Sequence, residues 1–123
     1  MSSQTTTQTT AATLPSLQTT LRKLYEPFAT GLTCTVRHYK RASTYPFCVW
    51  TEDGENNSFH VDNHKREQKI AGYVDYFTKT EFDATVDAIQ EIFQAEGVAW
   101  ILSTVDYEDE TNLIHFRWRW EVV

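Results

Sequence analysis

Two cysteines and two histidines are the first residues whose types suggest chemistry. Cys34, Cys48, His60 and His64 are all possible zinc ligands. Structural zinc sites need two cysteines in a tight knuckle, whereas thirteen residues separate Cys34 from Cys48. His60 and His64 flank an Asp-Asn turn rather than lying on a helix that would align them. The spacing therefore argues against a metal site, and we expect both cysteines to be reduced and buried.

Nucleophilic and acid–base catalysis have equally weak candidates. Ser58 lies near His60, but no nucleophile-elbow motif surrounds it. The four glycines do not cluster, so no phosphate-binding loop is predicted. Four carboxylates that could act as general acid and base, or hold a divalent ion, crowd a predicted hairpin tip where carboxylates are normally solvated: Asp106, Glu108, Asp109 and Glu110. We therefore predict no catalytic, metal-binding or cofactor-binding residues, no cofactor and no enzymatic activity.

The terminal stretch "LIHFRWRWEVV", residues 113–123, interleaves arginines with aromatic residues. A single-stranded nucleic-acid binder uses such residues to stack bases and neutralise phosphates. A strand with one buried face shows the same alternation. Glu121 and the acids of the preceding turn would repel phosphate, so we favour the core strand. One face then carries Ile114, Phe116, Trp118, Trp120 and Val122, and the other His115, Arg117, Arg119 and Glu121.

The elements that must position these residues follow from the hydrophobic spacing. Leu14, Leu17, Leu21, Leu24 and Phe28 predict a first helix over 14–30, which Pro15 begins and Gly31 ends, while Pro27 opposes a clean continuation. Strands are predicted at 32–40, 47–51, 57–63 and 67–78, and then as a hairpin of 98–106 with 113–122. The second strand is expected to end in a turn at Glu-Asp-Gly, residues 52–54. Gly72 inside the fourth strand indicates a bulge or a close backbone approach.

A second helix lies between the fourth strand and the hairpin. Phe82, Val86, Ile89 and Phe93 recur at helical spacing, and Gly97 ends the element. Thr78 with Glu81 has capping-box spacing, Phe77 with Phe82 would form a hydrophobic staple, and Asp83 is an alternative N-cap. The predicted order is α-β-β-β-β-α-β-β, an α+β domain whose antiparallel-rich sheet is flanked by two helices.

Length and composition predict one domain. The 123 residues comprise a polar, Thr-rich arm over 1–13 and a single α+β domain over 14–123. The arm is either a flexible tail or a segment that orders on a neighbouring subunit. Its sequence has neither a basic start nor an apolar core, so we expect no secretory signal, and the apolar runs are too short to predict a membrane span.

The net charge of −6 is unevenly distributed along the chain. Residues 1–50 carry five basic residues and one acid, for +4, whereas residues 51–123 carry six basic and sixteen acidic residues, for −10. The acids are either a solvated face or one half of a charge-complementary contact between identical subunits packed head to tail. The second interpretation has these candidate interface residues: Arg22, Lys23, Arg37, Lys40, Arg41, Asp83, Asp87, Glu91, Arg117 and Arg119.

Two segments carry a resemblance to a known family. "GYVDYFTKTEFDATVDAIQEIF" and "YEDETNLIHFRWRWEV" resemble small virion proteins of siphophages that infect Gram-positive bacteria. These are tail completion, tail-to-head joining or tail terminator proteins. The likeness covers residues 67–123 in detail, and the elements before them only loosely. The Thr-rich arm has no counterpart in it.

The resemblance implies a structural function in the virion, assembled in the host cytoplasm. Such proteins form a ring, typically a homohexamer, that caps the tail tube and stops its polymerisation. The implied partners are further copies of the chain, the major tail tube protein and the head connector or stopper protein. DNA would pass through the ring without specific binding, since attraction to phosphate needs Lys and Arg. Whether the acidic helix lines the lumen or the subunit contact stays open at this stage.

Two alternatives remain. One is a head-completion or stopper protein on the connector side of the same junction. The other, of a different class, is a small-molecule-binding α+β cone fold, for which His38 or the Tyr73 and Asp75 side of the fourth strand are the polar candidates. For the ring, the outer-face position of Arg117 and Arg119 predicts that reversing both charges weakens assembly and leaves the fold intact.

Overall fold

The protein is an α+β fold, as predicted. The structure, a computed structural model, describes residues 14–55 and 68–123. The predicted arm over 1–13 and the predicted strand over 57–63 lie outside these residues. Within them, the elements are α1 (Leu17–Gly31), β1 (Thr35–His38), β2 (Phe47–Glu55), β3 (Ile70–Thr78), α2 (Ala84–Glu96), β4 (Ala99–Glu108) and β5 (Leu113–Glu121). Neither of the two described helices is long and apolar enough to cross a membrane.

The described strands form one mixed sheet in the order β1-β2-β3-β5-β4. The described element order, α-β-β-β-α-β-β, differs from the predicted α-β-β-β-β-α-β-β by the strand over 57–63, which lies outside the described residues. Three of the four described strand pairs are antiparallel, but the expected sheet needs correction at β1, which lies parallel to β2. The reason is the connection over 39–46. It returns the chain to the end of the sheet where β1 begins, so that β2 runs in the same direction as β1. Ala42 in this connection packs against a cluster of Phe47, Val49, Phe77 and Leu113.

Both helices pack on one face of the sheet, which we call the helix face; the opposite one is the outer face. The main core contains Leu21 and Phe28 of α1 and Ile89 and Phe93 of α2. Phe28 meets Phe93 edge to face at 5.2 Å between ring centroids. The strands contribute Cys48, Trp50, Ile70, Val74, Tyr76, Trp118 and Trp120. Because the aromatic side of β5 is buried here, the prediction of a core strand is confirmed.

Helix α1 starts later and continues further than its apolar spacing predicts. Ser16 is the N-cap and accepts a hydrogen bond from the Thr19 amide at 3.3 Å, so Pro15 precedes the helix. Leu14 and Leu17 are more than a third exposed. Pro27 lies inside the helix, which continues to Gly31. The carbonyl that a proline at this position leaves without a donor belongs to Lys23, an exposed residue where water can replace the missing N–H.

The N-terminus of α2 uses the alternative cap. Asp83 accepts a hydrogen bond from the Thr85 amide at 2.9 Å, and Gly97 ends the helix in the left-handed conformation at φ 71°. The capping box and staple are wrong. Phe82 is fully exposed, whereas Phe77 points to the outer face and stacks on Phe47. The Thr78 hydroxyl instead donates to Asp83 at 2.7 Å, which leaves the aspartate as the cap.

Gly72 marks a close approach of three strands. A Cβ at this position would lie 2.0 Å from the Thr51 carbonyl oxygen and 2.6 Å from Trp120. The neighbouring strand β2 is longer than predicted and bulges between Glu52 and Gly54, beside Gly72. The Glu-Asp-Gly sequence, expected to form a turn, is therefore part of a strand, because its irregularity is absorbed by a bulge.

Substituting Gly72 tests this packing. We expect Gly72→Ala to lower the free energy of unfolding by about 3 kcal/mol or more, since the added methyl group meets backbone atoms that cannot move independently. Urea denaturation measures the change. The control is Gly31→Ala, where the new Cβ would lie 3.4 Å from Ile92 at an ordinary contact distance. Equal stability of the two variants would contradict the close approach.

Candidate functional site

The outer face of the sheet carries a polar network that holds the two terminal-strand arginines. Arg117 Nε lies 3.2 Å from Asp75 Oδ1, and Arg119 donates to Asp53 Oδ2 at 2.7 Å. Both guanidinium groups also lie over the Tyr73 ring, at 3.9 and 4.9 Å from its centroid. The arginines are thus partnered within their own domain. They are not free, because Asp53 and Asp75 on neighbouring strands bind them, and their expected contact with an acidic helix or a second subunit stays a prediction.

Asp75 is the centre of this network. It is 9% exposed and also contacts His115 Nε2 through Oδ1 at 2.6 Å. The His115 ring stacks on Phe77, with 4.2 Å between centroids. A carboxylate as buried as this one needs partners, and the network supplies them from β5. Asp75 and Tyr73 are therefore structural residues of the outer face and do not line a pocket of the helix face.

Arg41 is also engaged inside the domain. It donates through two nitrogens to the Glu108 carboxylate at 3.1 and 3.2 Å, and its guanidinium lies 4.4 Å from the Phe77 ring centroid. The hydrogen bond from Arg41 lowers the pKa of Glu108. The connection over 39–46 is thereby fastened across the outer face to the end of β4. Nothing in the spacing of Arg41 and Glu108, 67 residues apart, indicates this pair.

Asp83 is likewise a structural residue. In addition to capping α2, it accepts hydrogen bonds from the Tyr76 and Thr78 hydroxyls, each at 2.7 Å. Burial alone would raise the pKa of Asp83, but the hydrogen bonds from Thr85, Tyr76 and Thr78 outweigh it and lower the pKa. Burial also raises the pKa of the Tyr76 hydroxyl well above its ordinary value.

The remaining predicted interface residues, together with further acids that were not predicted, lie towards opposite edges of the sheet. At the β1 edge, four exposed basic residues have no ion-pair partner among the described residues; we call this the basic edge: Arg22, Lys23, Arg37 and Lys40. At the other edge, α2, β4 and the β4–β5 turn present six exposed acids without an ion-pair partner in the described ranges. We call this the acidic edge: Asp87, Glu91, Glu96, Asp106, Asp109 and Glu110. The charge asymmetry along the chain is therefore an asymmetry between two surfaces.

A cleft of about 310 Å³ opens beside the basic edge, between α1 and the ends of β1 and β2. His38 Nε2 lies 2.7 Å from Glu52 Oε1, and the Tyr39 hydroxyl donates to the other oxygen of the same carboxylate. The His38 ring is stacked on Tyr39 and lies against Tyr25 and Trp50. Burial would raise the pKa of Glu52, but the hydrogen bonds from Tyr39 and His38 lower it.

The described residues that line the cleft provide aromatic contact and a carboxylate–imidazole pair, and no serine, threonine or cysteine is among them. Sequence reasoning named His38 as a polar candidate but missed Glu52, its partner, because the expected turn at Glu-Asp-Gly removed that residue from the strand.

The two cysteines are free. Cys48 is fully buried and Cys34 is half-buried, so Cys48 confirms the expectation of burial and Cys34 meets it only in part. Burial raises the pKa of both thiols and keeps them protonated. Ser58, His60 and His64 lie outside the described residues. Within residues 14–55 and 68–123, no group of three or more His, Cys, Asp or Glu side chains is arranged to hold a metal ion.

No protein-family model and no curated protein matches the chain.

Reversing the two outer-face arginines tests their structural role. We expect Arg117→Glu with Arg119→Glu to lower the free energy of unfolding by about 2 kcal/mol, because each new carboxylate faces Asp75 or Asp53 in a partly exposed setting. Chemical denaturation measures the loss. This outcome replaces the sequence-based expectation of an unchanged fold.

The matched control reverses two exposed charges of the basic edge. Arg22→Glu with Lys23→Glu should change the free energy of unfolding by no more than about 0.5 kcal/mol, since neither residue has a partner to lose. If both double variants were equally stable, the outer-face network would not be contributing to the fold.

The pH dependence of stability tests Asp83. Because folding lowers its pKa, its contribution is present above the unfolded-state pKa of about 3.9 and is lost as the pH falls through the lower folded-state value. We expect Asp83→Asn, which retains a capping oxygen, to be about 1 kcal/mol less stable than the wild type at pH 7. The difference should close below about pH 4 in thermal melts. Asp87→Asn, at an exposed acid in the first turn of α2, is the control; the same pH profile for both variants would exclude the Asp83 network as its source.

Proposed function

We propose that the protein is a structural virion component of a siphophage, a tail terminator. It caps the tail tube as a ring, ends tube polymerisation and presents the surface that joins the tail to the head. The observation that carries the proposal is the segregation of unpaired basic and acidic side chains to opposite edges of one sheet. A surface that complements its opposite edge, rather than itself, makes head-to-tail contacts, and such contacts generate rings when the rotation closes.

The resemblance adds support because its two segments occupy one part of the fold. The first segment forms most of β3 and most of α2, and the second forms the end of β4 and all of β5. β3 pairs with β5 along eight residue positions, and α2 packs on both through Tyr76 and Trp118. The likeness therefore covers a contiguous half of the sheet with its helix, which is a unit of structure and not two scattered motifs.

The charges of the outer face and of the acidic edge favour protein partners over nucleic acid. Arg41, Arg117 and Arg119 are neutralised by carboxylates, and the acidic edge repels phosphate. The proposed partners are further copies of the chain in a homohexamer, the tail tube protein on one side and the head connector or stopper protein on the other. DNA passes through without specific binding, and the site of action is the head–tail interface of the virion. No cofactor or catalytic step is part of the proposal.

Isolated tail tubes test this function. Added protein should form six-membered rings at one end of each tube and stop further growth, as measured by negative-stain imaging and by the length distribution of tubes grown with and without it. Light scattering gives the mass of any ring free in solution. A protein that stays strictly monomeric in the presence of tubes would overturn the proposal. Antibody labelling confined to isolated filled heads would replace it with the head-completion or stopper function.

The cleft beside α1 supports a second candidate, a small-molecule-binding function. The observation in its favour is the ionised Glu52 held between His38 and Tyr39 at the mouth of an aromatic-lined space. A thermal-shift screen of small metabolites tests it. A ligand that stabilises the wild type and not His38→Ala would support binding in this cleft, and a screen without such a ligand would leave the ring function alone.

A further inference from the structure

Strand β4 is an edge strand whose surface has no cover in the described part of the chain. Eight of its ten residues are exposed, and among the described strands it pairs with β5 alone. Val105 and Tyr107 are 50% and 58% exposed although they lie on the helix face. They are exposed because α2 reaches the hairpin at Trp100 and Trp118 and leaves its far half uncovered. An open strand edge with apolar neighbours is a template for pairing with another chain.

A bulge determines which part of β4 is available. The register shifts between Leu102 and Thr104, so the straight segment over 104–108 is separate from the first half of the strand. In this segment Val105 and Tyr107 lie on the helix face, while Asp106 and Glu108 lie on the outer face. Glu108 is bound by Arg41, whereas Asp106 is exposed and has no ion-pair partner among the described residues.

Strand β1, at the opposite edge, has matching length and chemistry. It has four residues and is paired on one side, with β2. The register with β2 places Thr35 and Arg37 on the outer face, opposite Phe47 and Val49. Val36 is half-buried on the helix face, where the Tyr25 hydroxyl donates to its carbonyl. Arg37 is exposed and, within the described ranges, has no acidic partner.

We propose that β1 of one subunit pairs with residues 104–108 of β4 in the next copy of the chain, so that the sheet continues from subunit to subunit. The proposal rests on the head-to-tail ring described above and names its contact. When the two sheets join with their faces aligned, Arg37 comes beside Asp106 on the outer face, and Val36 comes beside Val105 on the helix face. Both are favourable cross-strand pairs.

The charges exclude the symmetric alternatives. Pairing β4 with β4 about a two-fold axis sets the acids of 104–108 against one another, and pairing β1 with β1 sets Arg37 against Arg37. Like charges directly opposite on neighbouring strands are destabilising. The head-to-tail arrangement is the one in which each edge meets the opposite charge.

A charge exchange tests the contact. Arg37→Asp and Asp106→Arg should each raise the dissociation constant for ring assembly about tenfold or more, because each places like charges across the strand pair. The variant with both substitutions restores an opposite pair and should assemble within about threefold of the wild type. Light scattering over a concentration series and the fraction of capped tail tubes are the readouts. Glu81→Arg, the same charge change at an exposed acid outside the acidic edge, is the control and should leave assembly closer to the wild type than Asp106→Arg does.

A cross-link tests the strand pairing apart from charge. Arg37→Cys with Asp106→Cys should give a ladder of covalent oligomers on oxidation, since residues opposite each other on paired strands lie within disulfide distance. Either single cysteine variant should give no ladder. Circular dichroism and melting of every variant confirm that the subunit is folded.

The outcomes separate this contact from the proposed function. Rings that cap tubes normally in both single charge variants, or that fail to recover in the exchanged variant, overturn the strand pairing and leave the terminator function standing. Assembly that follows the exchange pattern while tubes remain uncapped supports the pairing and overturns the terminator function.

Discussion

The stack of Trp50 on Trp120 across Gly72 is the contact on which the rest of the fold depends. The two indole rings belong to β2 and β5, which lie on either side of β3, yet their centroids are 5.2 Å apart. Trp120 can lie over β3 because Gly72, its register partner, has no side chain, and a Cβ there would lie 2.6 Å from the Trp120 ring. The stack is part of the sheet surface on which both helices pack. Tyr25 of α1 contacts Trp50, and Phe93 of α2 contacts the neighbouring Trp118.

Because the aromatic side of β5 packs against the helices, its basic side must lie on the outer face. There Arg117 and Arg119 place two like charges on one strand, and side chains of β2 and β3 offset the repulsion between them. Asp53 and Asp75 supply carboxylates, and Tyr73 supplies a ring between the two guanidinium groups. The neutral outer face is thus a consequence of the core, and it leaves the two sheet edges as the places where charge is unbalanced.

Much of this fold follows from local pattern. The period of two in β5, the apolar stripe of α2 and the stop at Gly97 depend on neighbouring residues, and each predicted its element. The parallel β1–β2 pair did not follow, because its direction is set by a connection that packs Ala42 on the outer face. Asp83 was predicted only as an alternative N-cap, because Thr78 with Glu81 has capping-box spacing. Which of the two residues caps α2 depends on the Tyr76 hydroxyl, which donates a hydrogen bond to Asp83.

The candidate site was less predictable than the fold, because it depends still more on contacts between residues that are far apart in the sequence. Charge asymmetry along the chain indicated two opposed surfaces, but which charges are free is decided by partners far away in sequence. Arg41, Arg117 and Arg119 are neutralised by residues 42 to 67 positions distant, whereas Arg37 and Asp106 are exposed without a partner in the described residues. Counting charges cannot make that distinction, because it depends on strand order.

The Arg41–Glu108 pair has a mechanical consequence. The connection that follows β1 is fastened by it to the strand at the far edge, across a sheet of five described strands. Sheets twist and coil, and an ion pair that links one edge of the sheet to the other restrains that deformation. In any closed assembly that uses both edges as contacts, the angle between the edges sets how many copies complete the ring. The ion pair therefore acts on the curvature of such an assembly rather than on the strength of its contacts.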